Sequence, residues 1–458
     1  MSREYSNKFW IAFWGIAAIF LTGWYFYWEG KNKGMGAAVE KAVSSLPISK
    51  EKKDVYGAVA KIGDYFLFTN GAERNVLVLL QNEMELRPGG GFLGAFAIIR
   101  IKDGKVVSME THDLSNFDRT IPPVLSPPYP IKETMRTRAW KMRDSNWSPD
   151  FKTNAAQALE MYRLGGGKER FDAIVAINGR VLETLLAVTG PVELEGYPGA
   201  YDSESAILKL EYQVEKGFDE QGIERSDRKV VMGELAGAIA GKLEEASLKS
   251  KVSLAQLLMD DLEKKDIQLF FFDEELQQAA EKAGFAGRMD AKWDGDYLLA
   301  VDANLGSYKS DYYVKREMDY SVDLSGEAPL AKLKITYTHT AKQRDWMTKD
   351  YLTYLRVYVP EGSWLTESSN FDDARFGNEG ERKYFGALVR VPLASSKTVE
   401  LVYALPKELK EKPYDLLIQK QSGTGQVPLG VHITFPDGRK DGFAKLLDKD
   451  MVLGEVLE

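Results

Sequence analysis

Residues 75–92 read NVLVLLQNEMELRPGGGF, and this stretch decides how the first part of the chain folds. Residues 75–80 form a continuous apolar run of strand length, which predicts a buried strand. Residues 92–101 and 106–109 predict two further strands, and Asp103-Gly104 between them is a dipeptide that favours a two-residue hairpin turn. The chain therefore begins a sheet shortly after residue 70.

Helices and strands alternate from there to residue 304. A helix near residues 154–164 stops at three glycines, and a buried strand follows at 173–177. Residues 267–272 and 297–301 predict strands on either side of a helix over 274–283. This alternation predicts an α/β domain over residues 71–304, preceded by a helical stalk over 34–70.

The pattern changes after residue 305. From Val314 to Val322 apolar and charged residues alternate with a period of two, which is typical of a half-buried strand. Similar runs recur at 330–337, 351–359, 384–391, 398–405, 414–420 and 431–435. Short strands separated by turns predict an immunoglobulin-like β-sandwich domain over residues 305–458.

Composition excludes several classes of function. The 458 residues carry 60 Lys+Arg against 68 Asp+Glu, a net charge of −8, whereas a nucleic-acid binder usually has a basic surplus. The chain has no cysteine, which excludes disulfides, thiolate metal sites and cysteine nucleophiles. Three histidines, His112, His339 and His432, lie far apart and do not have the spacing of metal ligands.

Residues 9–28 read FWIAFWGIAAIFLTGWYFYW and contain no charged residue. Twenty residues in a helix span about 30 Å, the thickness of the hydrocarbon layer of a bilayer, and aromatic residues crowd both ends. We interpret residues 1–33 as a cytoplasmic tail and an uncleaved transmembrane anchor, in preference to a cleaved signal peptide or a buried core helix. The bulk of the chain is then expected outside the cell membrane.

Glu85 and Arg87 lie beside three glycines at the end of the first strand. Backbone amides exposed by glycine, together with a guanidinium group, can bind an anion or a sugar. The alternative is a tight connection whose charges pair with each other.

Residues 141–151, KMRDSNWSPDF, form a second polar segment. Asp144 and Asp150 could supply oxygen ligands to Mg²⁺, and Asn146 and Trp147 suit a carbohydrate or phosphosugar. Asp150 could equally be the N-terminal residue of the following helix.

Arg225, Arg228 and Lys229 are predicted to open the helix that runs to about residue 243. Cations at a helix N-terminus oppose the helix dipole, and a bound anion relieves this. The alternative is pairing with nearby acidic residues, namely Asp219, Glu220, Glu224 and Asp227.

Several long motifs resemble one bacterial envelope family. Residues 75–92, the segment MRDSNWSPDF and the segment FDAIVAINGRVLETLLAVTGPVEL resemble the family called domain of unknown function 4012. The likeness continues through DYYVKREMDYSV, YLTYLRVYVPEGSWL and YDLLIQKQ, and so covers nearly everything after the anchor. The function of that family is not established.

A more distant resemblance is to the LytR-CpsA-Psr family of membrane-anchored glycopolymer transferases. It implies Mg²⁺-dependent transfer of a glycopolymer from a polyprenyl-pyrophosphate carrier to peptidoglycan. Arg143-Asp144 resembles the Pro-Arg-Asp segment of that family. Arg225 and Arg228-Lys229 resemble its Arg-x-x-Arg-Gln motif, with lysine in place of glutamine.

Glu85 and Arg87 also resemble that family in position. They lie roughly where the family has an Arg-Asp element after its first strand. Under this resemblance the catalytic residues are Arg143, Asp144, Arg225 and Arg228, and Asp144 with Asp150 would hold Mg²⁺. Substrate contacts would come from Glu85, Arg87, Asn146, Trp147 and Lys229.

Two hypotheses about function follow. The first is a transferase in which the arginines gather around one pyrophosphate. The second is a non-catalytic envelope module that binds polymers or proteins. Arginines that converge on one cleft favour the first hypothesis, and arginines already paired with carboxylates favour the second.

Overall fold

The computed structural model of the protein describes residues 47–67 and 71–454. The predicted membrane anchor at residues 9–28 lies outside these residues. Of the helices that the structure does describe, none combines the length and the apolar character needed to cross a bilayer.

The first sheet has five strands in the order β3-β2-β1-β4-β7. Only β1 and β4 run parallel, and the other three pairings are antiparallel. The strands of this region, including a small β5-β6 pair, are β1 (Arg74–Arg87), β2 (Gly90–Lys102), β3 (Lys105–Asp113), β4 (Ala173–Asn178), β5 (Val192–Glu193), β6 (Ala200–Tyr201) and β7 (Ile267–Phe271).

The first two hairpins show how local sequence fixes this sheet. Asp103 and Gly104 have φ angles of 48° and 73°, and Lys102 pairs with Lys105 around them, so the predicted hairpin is confirmed. Strand β1 runs on to Arg87, well past the apolar run, and Pro88-Gly89 makes the turn into β2. A side chain at Gly91 would collide with the backbone of Asn82, so only glycine permits this close pairing.

Helices cover both faces of the first sheet. The helices are α1 (Lys50–Leu67), α2 (Leu114–Phe117), α3 (Tyr129–Met135), α4 (Phe151–Leu164), α5 (Gly179–Thr189), α6 (Ala206–Tyr212), α7 (Phe218–Glu220), α8 (Val230–Glu245), α9 (Leu248–Glu263) and α10 (Glu274–Lys282). Leu77 and Leu79 of β1 pack in the cluster that contains α4, whereas Val76 and Val78 pack in the cluster that contains α1 and α10. Burial on both faces explains why this strand is apolar without alternation.

The second half of the chain forms two six-stranded sheets, β12-β15-β10-β9-β17-β18 and β13-β14-β11-β8-β16-β19. The inner faces share one apolar core, to which the first sheet contributes Tyr320 and Leu401 and the second contributes Leu355 and Phe385. The strands are β8 (Asp296–Asn304), β9 (Val314–Asp323), β10 (Leu330–His339), β11 (Tyr351–Val359), β12 (Trp364–Ser369), β13 (Arg375–Glu379), β14 (Arg382–Val391), β15 (Ser396–Ala404), β16 (Leu416–Ile418), β17 (Val427–Thr434), β18 (Lys440–Leu447) and β19 (Met451–Leu453).

The predicted fold class, in which a LytR-CpsA-Psr-like α/β domain and an immunoglobulin-like sandwich follow the anchor, is wrong for the described residues. The structure is a mixed α/β architecture with several sheets, and its first sheet is mostly antiparallel. Strand β8, which the sequence analysis placed in the α/β region, lies inside the second half between β11 and β16. Parallel pairing of β8 with β16 and of β9 with β17 also departs from the antiparallel immunoglobulin pattern. Alternation of helices and strands along a sequence does not specify which strands pair or in which direction.

Buried hydrogen bonds join the two halves. The side-chain amide of Gln421 donates to the backbone carbonyls of Arg87, at 3.0 Å, and Asp302, at 2.8 Å. The hydroxyl of Ser422 donates to the carbonyl of Lys265 at 2.6 Å. The segment after β16 therefore fixes the position of the β1–β2 turn relative to the second half.

Candidate functional site

Arg87 lies at the centre of a buried ion-pair cluster. Its guanidinium is 0% exposed and contacts Glu85 at 2.9 Å and Asp144 at 3.2 Å. Burial raises the pKa of Glu85 even though Arg87 opposes this. Burial by itself would lower the pKa of the Arg87 guanidinium. The two adjacent carboxylates have the larger combined effect, and the pKa is raised. The structure therefore brings these three predicted site residues together as a buried group whose charges pair with one another.

The other predicted cations lie around α2. Asp118, at the end of this helix, pairs with Arg143 at 2.5 Å, and Asp113, at its start, pairs with Arg228 at 3.6 Å and Lys229 at 2.9 Å. Burial lowers the pKa of Lys229, although Asp113 acts in the opposite direction.

The residues predicted to open a helix in fact precede it. Lys229 is the N-cap residue of α8, Arg228 lies just before it, and Arg225 is exposed in the preceding segment. Arg143 and Arg228 are thus paired with different carboxylates, and Arg225 joins neither pair. The transferase hypothesis requires arginines that are available to a pyrophosphate, whereas Arg143 and Arg228 already contact Asp118 and Asp113.

Asp144 and Asp150 do not fit a Mg²⁺ site. Asp144 is turned to Arg87, whereas Asp150 caps α4 by accepting a hydrogen bond from the backbone N–H of Thr153 at 3.2 Å. Asp150 also pairs with Arg288 at 2.7 Å. Within residues 47–67 and 71–454, histidine and acidic side chains nowhere form a group of three or more that could hold a metal ion. The interpretation of Asp150 as a helix N-terminal residue is confirmed.

An aromatic pocket of about 400 Å³ lies where the proline-rich loop meets the second half of the chain. Its walls come from the start of α3, from the loop before α4, and from strands β11, β13 and β14. The lining residues are Pro128, Tyr129, Pro130, Trp147, Tyr354, Arg356, Arg375, Phe376 and Tyr384. The lining contains two arginines and no carboxylate.

Arg356 is the polar group at the base of this pocket. It is 3% exposed, and its guanidinium lies 5.0 Å from the centre of the Trp147 ring. One terminal nitrogen donates to the carbonyl of Trp147 at 2.6 Å, and the other donates to Glu379 at 2.9 Å. The Nε–H is buried and has no hydrogen-bond partner among the described residues. Such an orphaned donor costs roughly 1–3 kcal/mol, and an acceptor that reached it would recover that cost.

Ring faces make up most of the remaining wall. Trp147 stacks on Tyr354 with ring centres 6.4 Å apart and planes inclined by 23°. Burial raises the pKa of Tyr354 to about 12, so its hydroxyl stays protonated and can donate a hydrogen bond. Apolar ring faces beside a few fixed donors match the composition of small-molecule and sugar pockets.

Trp147 is the one predicted site residue that lines this pocket. Its neighbour Asn146 instead donates to the carbonyl of Gly91 at 2.6 Å and supports the β1–β2 turn. The sequence analysis missed Tyr354, Arg356 and Tyr384. The run YLTYLRVYV at residues 351–359 carries an arginine among aromatic residues on a predicted strand. This pattern could have indicated the pocket from the sequence alone.

A larger cavity of about 580 Å³, whose lining includes several charged side chains, lies between the two halves. Its two arginines are already paired, Arg180 with Asp266 at 3.2 Å and Arg316 with Asp302 at 2.7 Å. The aromatic pocket, with its unsatisfied donor, is the stronger candidate for a ligand site.

Comparison with known proteins identifies one family. Residues 71–214 match the family described as "Protein of unknown function (DUF4012)", so the family resemblance is confirmed over this segment. The pocket residues of β11, β13 and β14 lie beyond the matched segment. No curated protein matches the chain.

Solved structures show only weak likeness. Protein gbs0355 from Streptococcus agalactiae has 14% identity and a TM-score of 0.29, with 48% of this chain and 75% of that chain covered. Lin1025 from Listeria innocua has 11% identity and a TM-score of 0.26, with 48% and 81% covered. A putative nutrient binding protein from Legionella pneumophila has 9% identity and a TM-score of 0.23, with 35% and 70% covered. Likenesses of this size decide neither fold nor function.

Proposed function

We propose that this chain, whose residues 71–214 match the family of unknown function DUF4012, is a non-catalytic, membrane-anchored module. It would bind a glycan of the bacterial cell envelope in the aromatic pocket. The observation that carries the proposal is the unpartnered, buried Nε–H of Arg356 at the base of a pocket walled by Trp147 and Tyr354. Sugar rings present apolar faces that stack on aromatic rings and hydroxyl groups that accept hydrogen bonds.

The pairing of the predicted catalytic cations supports binding over glycopolymer transfer. A pyrophosphate bound by Arg143 or Arg228 would have to displace Asp118 or Asp113. Removing one partner of a buried ion pair costs about 3–5 kcal/mol, which works against the exchange at the largely buried pair of Arg228 with Asp113. The location at the cell surface rests on the uncharged segment at residues 9–28.

The test is binding of the full-length chain, held in detergent micelles, to purified peptidoglycan glycan strands, wall teichoic acid and neutral dextran. We expect at least one of the two envelope glycans to bind, and we expect Trp147→Ala to weaken that binding at least tenfold. Arg375→Ala, at an exposed pocket position, provides a second variant whose folding is not at risk. Phe272→Ala removes an exposed aromatic ring that does not line the pocket, and it should bind as the wild type does. Failure of both envelope glycans to bind, or equal binding by all variants, contradicts the proposal.

A further inference from the structure

The aromatic pocket opens onto two exposed rings. Phe376, which lines the pocket, is 52% exposed and stacks on Trp364, which is 63% exposed. The ring centres are 6.1 Å apart and the planes are inclined by only 6°. We call these two residues the aromatic platform.

Both residues of the platform lie on strands at the edge of a sheet. Strand β12, which carries Trp364, and strand β13, which carries Phe376, are each the edge strand of their sheet. Exposed large apolar side chains that adjoin a pocket mark a surface for binding. Because Phe376 belongs to both the pocket and the platform, a ligand that leaves the pocket on this side passes directly over the platform.

Cations accompany the rings along this path. The guanidinium of Arg375 lies 3.6 Å from the centre of the Tyr129 ring at the pocket, and the ammonium of Lys383 lies 4.8 Å from the centre of the Trp364 ring. Within the described part of the chain neither group forms an ion pair, whereas Arg356 is paired with Glu379 at 2.9 Å.

The acidic residues of the same region do not line the pocket. Glu379 accepts hydrogen bonds from Arg356 and from the hydroxyl of Tyr358, and it does not line the pocket. Asp372 and Asp373 lie in the turn between β12 and β13, and Glu381 lies in the turn between β13 and β14. The pocket lining therefore presents aromatic rings and positive charge and contains no carboxylate.

We infer that the ligand is an anionic glycan chain, whose end fills the pocket and whose following sugars lie across Phe376 and Trp364. This inference rests on the proposed function and specifies its ligand. Carboxylate or phosphate groups on successive sugars would pair with Arg375 and Lys383, while the sugar rings stack on the platform. A neutral glycan would leave both cations without a partner, and a single sugar unit would leave the platform uncovered.

The test uses three oligosaccharides whose chemistry is matched: hexagalacturonate, its fully methyl-esterified and therefore neutral form, and digalacturonate. Binding to the full-length chain in detergent is measured by calorimetry. We expect hexagalacturonate to bind at least tenfold more tightly than its ester and at least tenfold more tightly than the dimer. Trp364→Ala should reduce the affinity for the hexamer about tenfold and leave the dimer unchanged, whereas Trp364→Phe, which keeps a ring, should bind like the wild type.

Equal affinity for the acid and its ester overturns the inference, and so does a Trp364→Ala variant that binds the hexamer normally. Absence of binding by all three probes overturns it as well. In each case the proposed function still stands if peptidoglycan strands or wall teichoic acid bind in a manner that depends on Trp147. Failure of those envelope glycans contradicts the proposed function itself.

Discussion

The guanidinium of Arg87 donates a 2.7 Å hydrogen bond to the backbone carbonyl of Asn304. This contact joins the end of β1 in the first sheet to the end of β8 in the second half. The same guanidinium forms ion pairs with both Glu85 and Asp144. Arg87, which the sequence analysis proposed as a ligand-binding cation, is therefore a buried structural residue.

Arg87→Ala is expected to lower the free energy of unfolding by about 3–5 kcal/mol, because it leaves two buried carboxylates without their partner. Arg100→Ala serves as the control, since the exposed pair of Arg100 with Glu110 at 3.7 Å should contribute no more than about 1 kcal/mol. Urea denaturation followed by circular dichroism measures both variants. If the two variants lose the same small amount, Arg87 is not the structural centre described above.

Asp150 provides a test of capping against metal binding. Asp150→Ala should cost about 1–2 kcal/mol of stability through the lost cap of α4, in addition to the lost ion pair with Arg288. Asp150→Asn also loses the ion pair but can still cap, and it should recover part of the loss. Thermal unfolding with and without Mg²⁺ distinguishes the two roles. We expect Mg²⁺ to shift the midpoints of the wild type and both variants equally. Stabilisation of the wild type alone would restore Asp150 as a metal ligand.

Asp296 should make stability depend on pH. Burial raises its pKa from 3.8 to about 6, despite hydrogen bonds from the hydroxyls of Tyr320 and Tyr414 that act in the opposite direction. The folded state therefore holds this proton more tightly than the unfolded state. The resulting stabilisation, roughly 3 kcal/mol, is present below about pH 4 and is lost as the pH rises through about 6.

Asp296→Asn removes this titration and leaves the others in place. The difference in unfolding free energy between wild type and variant should therefore change by roughly 3 kcal/mol between pH 4 and pH 7, in favour of the variant at the higher pH. Urea denaturation at the two pH values measures it. A difference that does not vary with pH would show that Asp296 titrates alike in both states.

Gly423 should not tolerate a side chain. Its φ angle is 80°, and a Cβ there would collide with the backbone oxygen of Gly90 in the β1–β2 turn. The left-handed conformation alone costs about 1–2 kcal/mol for a non-glycine residue, and the collision adds to this. Gly425→Ala is the matched control, because its Cβ would meet only the side chain of Arg180 at 3.6 Å.

We therefore expect Gly423→Ala to lose more than about 2 kcal/mol of stability and Gly425→Ala to stay within about 0.5 kcal/mol of the wild type. Thermal denaturation of the two variants side by side makes the comparison. Equal stability would mean that the contact between the turn and the segment after β16 is loose.

Features set by neighbouring residues could be predicted from the sequence. The turn at Asp103-Gly104 depends on two residues that adopt positive φ, and β9 depends on alternation that buries Val314, Tyr320 and Val322. Strands β12 and β13 were missed because they are exposed edge strands with little alternation of buried and exposed residues. The aromatic platform was not predicted either, because its two residues lie on these strands.

The site depends on contacts that cross long stretches of chain. Trp147 was predicted to bind substrate and does line the pocket, but Arg356, which donates to its carbonyl, lies 209 residues further on. A sequence pattern shows which residue types are present, and it does not show which distant partner neutralises them. For the same reason Arg143 and Arg228 suggested an anion site, although each is paired with an aspartate.

The hydrogen bonds that close the β1–β2 turn also have a consequence for biosynthesis. A ribosome makes Arg87 long before it reaches Asn304, 217 residues later, and Gln421, 334 residues later. Until then water solvates the polar groups of the nascent turn. The amino-terminal half lacks the hydrogen bonds that Asn304 and Gln421 will supply. Truncated translation products that end before Gln421 are therefore expected to be preferred substrates for chaperones and quality-control proteases.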